Sequence, residues 1–156
     1  MAGADLPGVL SLRTLADSVS LRVAAANAER IVVIGAGWIG SEVAASLRMM
    51  DRRVVLLAPD AVPLERVLGL EVGGVSRDAL LERGVELRLG TSVARIVGTD
   101  RVQAVETTTG ARIAAALVVI GVGVQPRLEL ARSVGRSVGA GLAGSATPEH
   151  SVAARV

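Results

Sequence analysis

The sequence predicts a three-layer α/β domain with a parallel sheet and an antiparallel β-meander, on three observations. Continuous runs of branched apolar residues alternate with segments of helical period. A glycine turn joins the first of those runs to a helix, and a later stretch breaks into short β-rich runs separated by turn residues. At 156 residues the chain can bury one substantial core.

Met1 to Ser11 carries Pro7 and Gly8 and no periodicity, so it reads as an extended lead-in, and residues 1–13 are taken as a linker or crossover. Thr14 followed by Asp17 matches a capping box with Asp in place of Glu. A helix from about Leu15 to Asn27 follows, with Leu15, Val19, Val23 and Ala26 on one face. Ile31 to Ile34 is the first parallel strand. The next helix reaches about Met50, its apolar positions Ile39, Val43, Leu47 and Met50 at helical spacing.

Asp51-Arg52-Arg53 is a polar turn, and Val54 to Leu57 is a second strand, apolar on both faces as a sheet covered on each side requires. Pro59 and Pro63 end that strand and hold an irregular loop. A helix runs from near Glu71 to Gly84, with Val72, Val75, Ala79 and Leu80 apolar and Gly84 in the position a helix C-cap favours. Val85 to Leu89 is a third strand, and Ser92 to Ile113 forms the meander, broken at Gly98-Thr99-Asp100 and Thr109-Gly110. Ala116 to Ile120 returns to the parallel sheet and ends in Gly121-Val122-Gly123. The domain is thus expected over 14–130. Residues 131–156, rich in Gly, Ala and Ser, are expected to be a disordered tail.

The stretch Ile31 to Ala45 organises this scheme, because Gly35, Gly37 and Gly40 follow the first strand directly. The first glycine allows a sharp reversal, the second removes a side chain where a pyrophosphate approaches, and the third permits close packing of helix on strand. A helix N-terminus with free N–H groups favours an anion. The pattern is that of a Rossmann-like dinucleotide site; the alternative is that the glycines serve only the turn and its packing.

Composition narrows the function classes. No apolar run approaches the ~18 residues of a membrane span, and nothing at the N-terminus has the succession of a signal peptide. There is no cysteine, so disulfide and thiolate chemistry are out, and a cytoplasmic setting follows by default. All 17 basic residues are arginine, interspersed with acids to a net charge of +2, which argues against nucleic acid as a partner. Phe and Tyr are absent and Trp38 is the sole aromatic, so the core is Val, Leu, Ile and Ala. His150 has no Cys or paired carboxylate nearby and reads as a solvated tail residue, leaving no metal site.

Three stretches together resemble the NAD(P)-binding domain of FAD-dependent pyridine nucleotide oxidoreductases of the ferredoxin reductase type. They are Leu6 to Asp17, Ile31 to Ala45, and Leu117-Val-Val-Ile-Gly-Val-Gly-Val-Gln-Pro126. The resemblance implies NAD(P)H as cofactor, FAD in a separate domain, and a small iron–sulfur protein as electron acceptor. The family's FAD domain supplies its own glycine loop before this segment and a Gly-Asp flavin motif after it. Neither is in the sequence, so the expectation is a fragment, or the product of a truncated or frame-shifted gene, with no FAD site. By the same resemblance Glu42 lies near the nicotinamide; alternatively it only complements the helix dipole. Trp38 is either a wall beside the nicotinamide or a packing residue.

The candidate cofactor-binding residues are Gly35, Gly37, Trp38, Ile39, Gly40, Glu42, Ala58, Gly121, Val122 and Gly123, with none assigned as catalytic. Departures also count: Ala58 stands where the family has an acid for the adenosine ribose, and Ala116 and Arg127 replace a further acid and an Asn. A methyl group at 58 accepts no hydrogen bond, so little discrimination between NADH and NADPH is expected. Two other readings remain: a non-catalytic dinucleotide-binding or interaction fragment, and a methyltransferase-like enzyme, which leaves the second glycine turn unexplained.

Overall fold

A computed structural model describes residues 1–139 and divides the chain into two compact units, Met1–Gly123 and the segment from Val124 onward. In the first unit the parallel sheet has the order β1-β8-β2-β3-β4. Its strands are β1 (Val9–Ser11), β2 (Arg30–Ile34), β3 (Arg53–Leu57), β4 (Glu86–Arg88) and β8 (Leu117–Ile120). Helices α1 (Leu15–Ala26), α2 (Trp38–Met49) and α3 (Glu65–Glu82) connect them. A separate antiparallel sheet, β5 (Val93–Gly98), β6 (Val102–Thr107) and β7 (Arg112–Ala114), is the expected meander.

The apolar runs are continuous because each central strand feeds two cores. Ile31 and Val33, Val54 and Leu56, and Leu117 and Val119 pack with Leu21 and Ala25 of α1 and Val43, Ala44 and Leu47 of α2. The alternate residues Val32, Ile34, Val55, Leu57 and Val118 pack against Ile96, Val102 and Val105 of the meander. Helices, parallel sheet and meander are the three layers expected. Among the described residues no helix is long and apolar enough to cross a membrane.

Three local expectations need correction. The lead-in contains a strand: Val9–Ser11 pairs in parallel with Val118–Ile120, and the chain before it is tied to the meander, with Ile96 N–H donating to Ala2 O and Val102 N–H to Pro7 O. So short an edge strand has no periodicity of its own; its partner supplies the pairing. Helix α1 carries the Thr14–Asp17 capping box as expected, but Leu15, Val19 and Val23 are exposed, and Leu21 and Ala25 face the sheet. Two apolar stripes run along this helix, and the one that carries Leu21 and Ala25 meets the sheet. Helix α3 starts at Glu65 rather than Glu71, breaks at Gly69 (φ +75°) and resumes; Leu80 is buried, but Val72 and Val75 are exposed. Its early start follows from the Glu65 carboxylate, which accepts from Ala61 N–H and Val62 N–H and shapes the chain entering the first turn.

Helix ends at the N-terminal edge of the sheet are closed by arginines. Arg48 donates to Arg83 O and Arg52 O, and Arg52 to Met50 O and Ala26 O, so carbonyls at or beside the C-termini of all three helices gain charged donors. The planar, many-donor guanidinium suits such bridging better than an ammonium group.

In the second unit, Glu129–Ser133 forms a short helix, α4. His150, with residues 140–156 of the expected tail, lies outside the described residues.

Candidate functional site

Registers Ile34↔Leu57 and Ile34↔Ile120 bring the C-terminal ends of β3, β2 and β8 level. Gly35, Ala58 and Gly121 each stand one residue beyond. Gly35 N–H donates to Leu57 O at 2.7 Å and Gly121 N–H to Ile34 O at 2.8 Å, so both glycine turns are laced to neighbouring strands.

The glycines divide into two kinds. Gly35 (φ +102°) reverses the chain into α2, and a Cβ there would lie 2.5 Å from Gly121 O. A Cβ on Gly40 would strike Gly35 O, and one on Gly121 would meet Gly40 Cα and N at 3.3 Å. Gly35, Gly40 and Gly121 therefore interlock backbone on backbone and serve the close crossing of both turns beneath α2. Gly37 and Gly123 are different: both are exposed, and a Cβ on either would meet nothing within 4 Å.

Gly37 is the N-cap of α2, with no side-chain cap and no acidic residue in the first turn. The first intrahelical bond runs from Ser41 N–H to Gly37 O at 3.0 Å. The N–H groups of Trp38, Ile39 and Gly40 precede it and have no partner within the helix. An uncovered ledge of N–H groups at the positive end of a helix dipole, beside a glycine with open space, is suited to an anion.

Trp38, the first residue of α2, is 53% exposed, and Val122 on the other turn is 65% exposed. A packing role for Trp38 leaves that exposure unaccounted for. Ile39 is half-buried against the helix-side core. Glu42 is exposed and is the fifth residue of α2, past the first turn where dipole complementation is effective. Ala58 is buried in the helix-side core, its N–H donating to Arg88 O and its carbonyl accepting from Thr91 N–H.

Sequence reasoning placed Asp60 and Arg66 in the loop beyond Ala58 but missed how Leu64 ties that loop to the glycine turn. Leu64 is buried, adopts a left-handed conformation (φ +60°) and donates its N–H to Ala36 O at 2.9 Å, inside the glycine turn. That conformation is rare for a branched side chain. Ala36 O also accepts from the buried Ser41 hydroxyl at 3.3 Å. No local signal marks Leu64; a Ser directly after the third glycine was the only available hint.

A cavity of about 510 Å³, lined by Arg30, Arg48, Arg53 and Glu86 among others, lies at the opposite edge, where β2, β3 and β4 begin. Arg30 and Arg88 both pair with Glu86 there and hold its carboxyl below the usual range, Arg88 contributing most. Arg48 is engaged with backbone carbonyls. That edge holds helix ends together and is separate from the glycine turns.

The ferredoxin–NAD(+) reductase component of the biphenyl dioxygenase system of Paraburkholderia xenovorans (strain LB400) is 37% identical over 145 residues, covering 93% of this chain and 36% of the relative. Rhodocoxin reductase of Rhodococcus erythropolis is 41% identical over 141 residues, covering 90% and 33%. The crystal structure of the ferredoxin reductase for the CYP199A2 system of Rhodopseudomonas palustris superposes with a TM-score of 0.83 at 35% identity, over 91% of this chain and 35% of that one. The chain thus spans about a third of the length of each. The family model for pyridine nucleotide-disulphide oxidoreductases matches residues 2–148. A Rossmann-type sheet, two interlocked glycine turns and a match over nearly the whole chain lead to one conclusion: this chain belongs to the pyridine nucleotide-disulphide oxidoreductase family.

Proposed function

We propose that this chain is the NAD(P)H-binding domain of a FAD-dependent oxidoreductase of the ferredoxin reductase type, presenting nicotinamide to a flavin carried on another domain. The observation that carries the reading is the contrast among the glycines: three fill a packing need, while Gly37 leaves open space above unpartnered N–H groups. A diphosphate fits there, because it needs clearance, donors and positive potential at one point. Trp38 would flank the bound nucleotide from the first turn of α2, and Glu42 would lie one turn further along. Val122 and Gly123 would border it from the second glycine turn.

Hydride transfer from nicotinamide to flavin is chemistry the cofactors supply when bound. This chain's residues hold and orient the dinucleotide, and none has to act as acid, base or nucleophile. By likeness to relatives named as ferredoxin reductases, the electron acceptor beyond the flavin would be a small iron–sulfur protein.

The test is a calorimetric titration of the chain with NADH and NADPH, repeated with Gly37→Val. Saturable binding by the wild type, lost in a variant of unchanged circular dichroism, supports the reading. Absence of binding to either cofactor in the folded wild type overturns it.

A further inference from the structure

Arg30 and Arg53 are the first residues of β2 and β3 and stand in register on these neighbouring strands. Arg30 keeps the alternation of Val32 and Ile34, and Arg53 that of Val55 and Leu57, so both side chains leave the sheet on the face of the meander-side core. Adjacent strands lie about 4.8 Å apart, and two like charges rooted so close repel unless a negative group stands between them. The acids at hand do not fill that place. Glu86, on the same face opposite Val55, already accepts from Arg30 Nη2 at 2.9 Å through Oε2 and from Arg88 at 2.7 Å through Oε1. Glu29 is 86% exposed and lies 3.8 Å from Arg53, beyond hydrogen-bond distance.

Arg30, Arg53 and Glu86 line the cavity of about 510 Å³ at this edge, together with Arg48 and the buried Val54 and Val55. Its donors outnumber its acceptors. Among the described residues Arg53 makes no side-chain hydrogen bond, and Arg30 leaves Nε and Nη1 unused. Arg48 spends Nε on Arg83 O and Nη1 on Arg52 O, which leaves Nη2. That nitrogen lies over Gly84, 2.9 Å from where a Cβ would stand, so a side chain there would displace it. The charge of Arg48 is set against the helix ends it closes. The excess positive charge of the cavity therefore rests on Arg30 and Arg53.

We propose that this cavity binds a small, multiply charged oxyanion, bearing phosphate or carboxylate groups, between Arg30 and Arg53. A guanidinium presents paired N–H groups that match two oxygens of either group. Arg30, braced by Glu86, is the fixed wall; Arg53, 78% exposed and uncommitted, closes on the anion from the other side; Arg48 Nη2 adds a donor. A cavity of this volume, part apolar, has the size of a small-molecule site. The proposal is independent of the dinucleotide reading, because β2 and β3 run five residues, roughly 17 Å, from this edge to the glycine turns.

The experiment titrates the isotope-labelled chain with pyrophosphate and, separately, with citrate, against sodium chloride at matched ionic strength, and follows amide and arginine Nε–H signals by NMR. Saturable shifts are expected at Arg53, Val54, Gly84 and Glu86, and the preferred anion tells phosphate from carboxylate. Arg53→Gln should weaken that anion about tenfold, the loss of one charge-assisted hydrogen bond, and Arg53→Lys should recover only part of it. Without anion, Arg53→Gln should match or exceed the wild-type Tm, since it removes a like charge and no hydrogen bond. The anion should then raise the wild-type Tm by more than that of the variant. Shifts confined to Gly37 through Gly40, shifts reproduced by chloride, no saturable shift at this edge, or equal affinity in folded Arg53→Gln would each overturn the proposal. A lowered anion-free Tm in Arg53→Gln would show the charge already balanced within the fold, and would overturn it too. The dinucleotide reading stands or falls separately, on NADH and NADPH.

Discussion

Replacing Gly37 with Val should remove dinucleotide binding at almost no cost to the fold, and the size of each effect can be worked from the turn. Gly37 has φ −76° and ψ −169°, an extended conformation that valine adopts readily, and its Cβ would meet no atom within 4 Å. Loss of glycine at an N-cap costs up to ~1 kcal/mol. The reduced freedom of the unfolded chain returns roughly 0.4–1 kcal/mol. The net change is within about 1 kcal/mol, or a shift of a few degrees in Tm for a domain of this size. The isopropyl group, however, would fill the open space at the N-cap of α2 in which a bound diphosphate would sit. Losing two charge-assisted hydrogen bonds at about 1.5 kcal/mol each weakens an anion by at least ~100-fold. Trp38, the sole aromatic, is the next residue and 53% exposed, so its fluorescence reports occupancy of the site directly, with calorimetry as a label-free check. Wild-type affinity in a folded variant would refute a ligand-clearing role for Gly37. A Tm lowered by more than about 10 °C would refute the open space from which the argument starts.

Gly40→Ala should behave in the opposite way. Its Cβ strikes Gly35 O, and overpacking of about 1–3 kcal/mol outweighs a helix-propensity gain of about 1 kcal/mol, so Tm should fall by several degrees before any ligand is added. Arg48→Met keeps the apolar stem but abandons Arg83 O and Arg52 O, and urea denaturation should show a loss of about 1–2 kcal/mol, since both bonds are partly solvated. Ala58→Glu should lower stability by about 2 kcal/mol or more, because it thrusts a carboxylate into the helix-side core, and the same denaturation series reads it. The Asp17 carboxyl is held below its ordinary value of 3.8 chiefly by Thr14 N–H and then by Arg13 N–H. A depressed carboxylate contributes stability above its unfolded pKa and loses it as pH falls through the folded value. Melts of wild type and Asp17→Asn should therefore differ at neutral pH and converge in acid.

Much of this protein is local physics and was legible in the chain itself. Four consecutive branched residues at Ile31 to Ile34 are buried on both faces, and only a covered parallel strand accommodates that. The glycine spacing after them marked the turn, Thr14 and Asp17 marked the start of α1, and the breaks at Gly98 and Gly110 marked the meander. What tertiary structure alone decided are questions of partner. Periodicity identifies α1 as a helix but does not say which stripe meets the sheet; the packed domain buries Leu21 and Ala25 and leaves Leu15, Val19 and Val23 exposed. Strand β1 exists because β8 offers it an edge, and three residues carry too little pattern to announce that. Gly35, Gly37 and Gly40 look alike in sequence, yet Gly40 and Gly121 meet only through the crossing of two turns far apart in the chain, and that contact separates the packing glycines from the open one. The left-handed Leu64 belongs to the same class: its backbone is fixed by a hydrogen bond to Ala36, a residue that no local pattern connects to it.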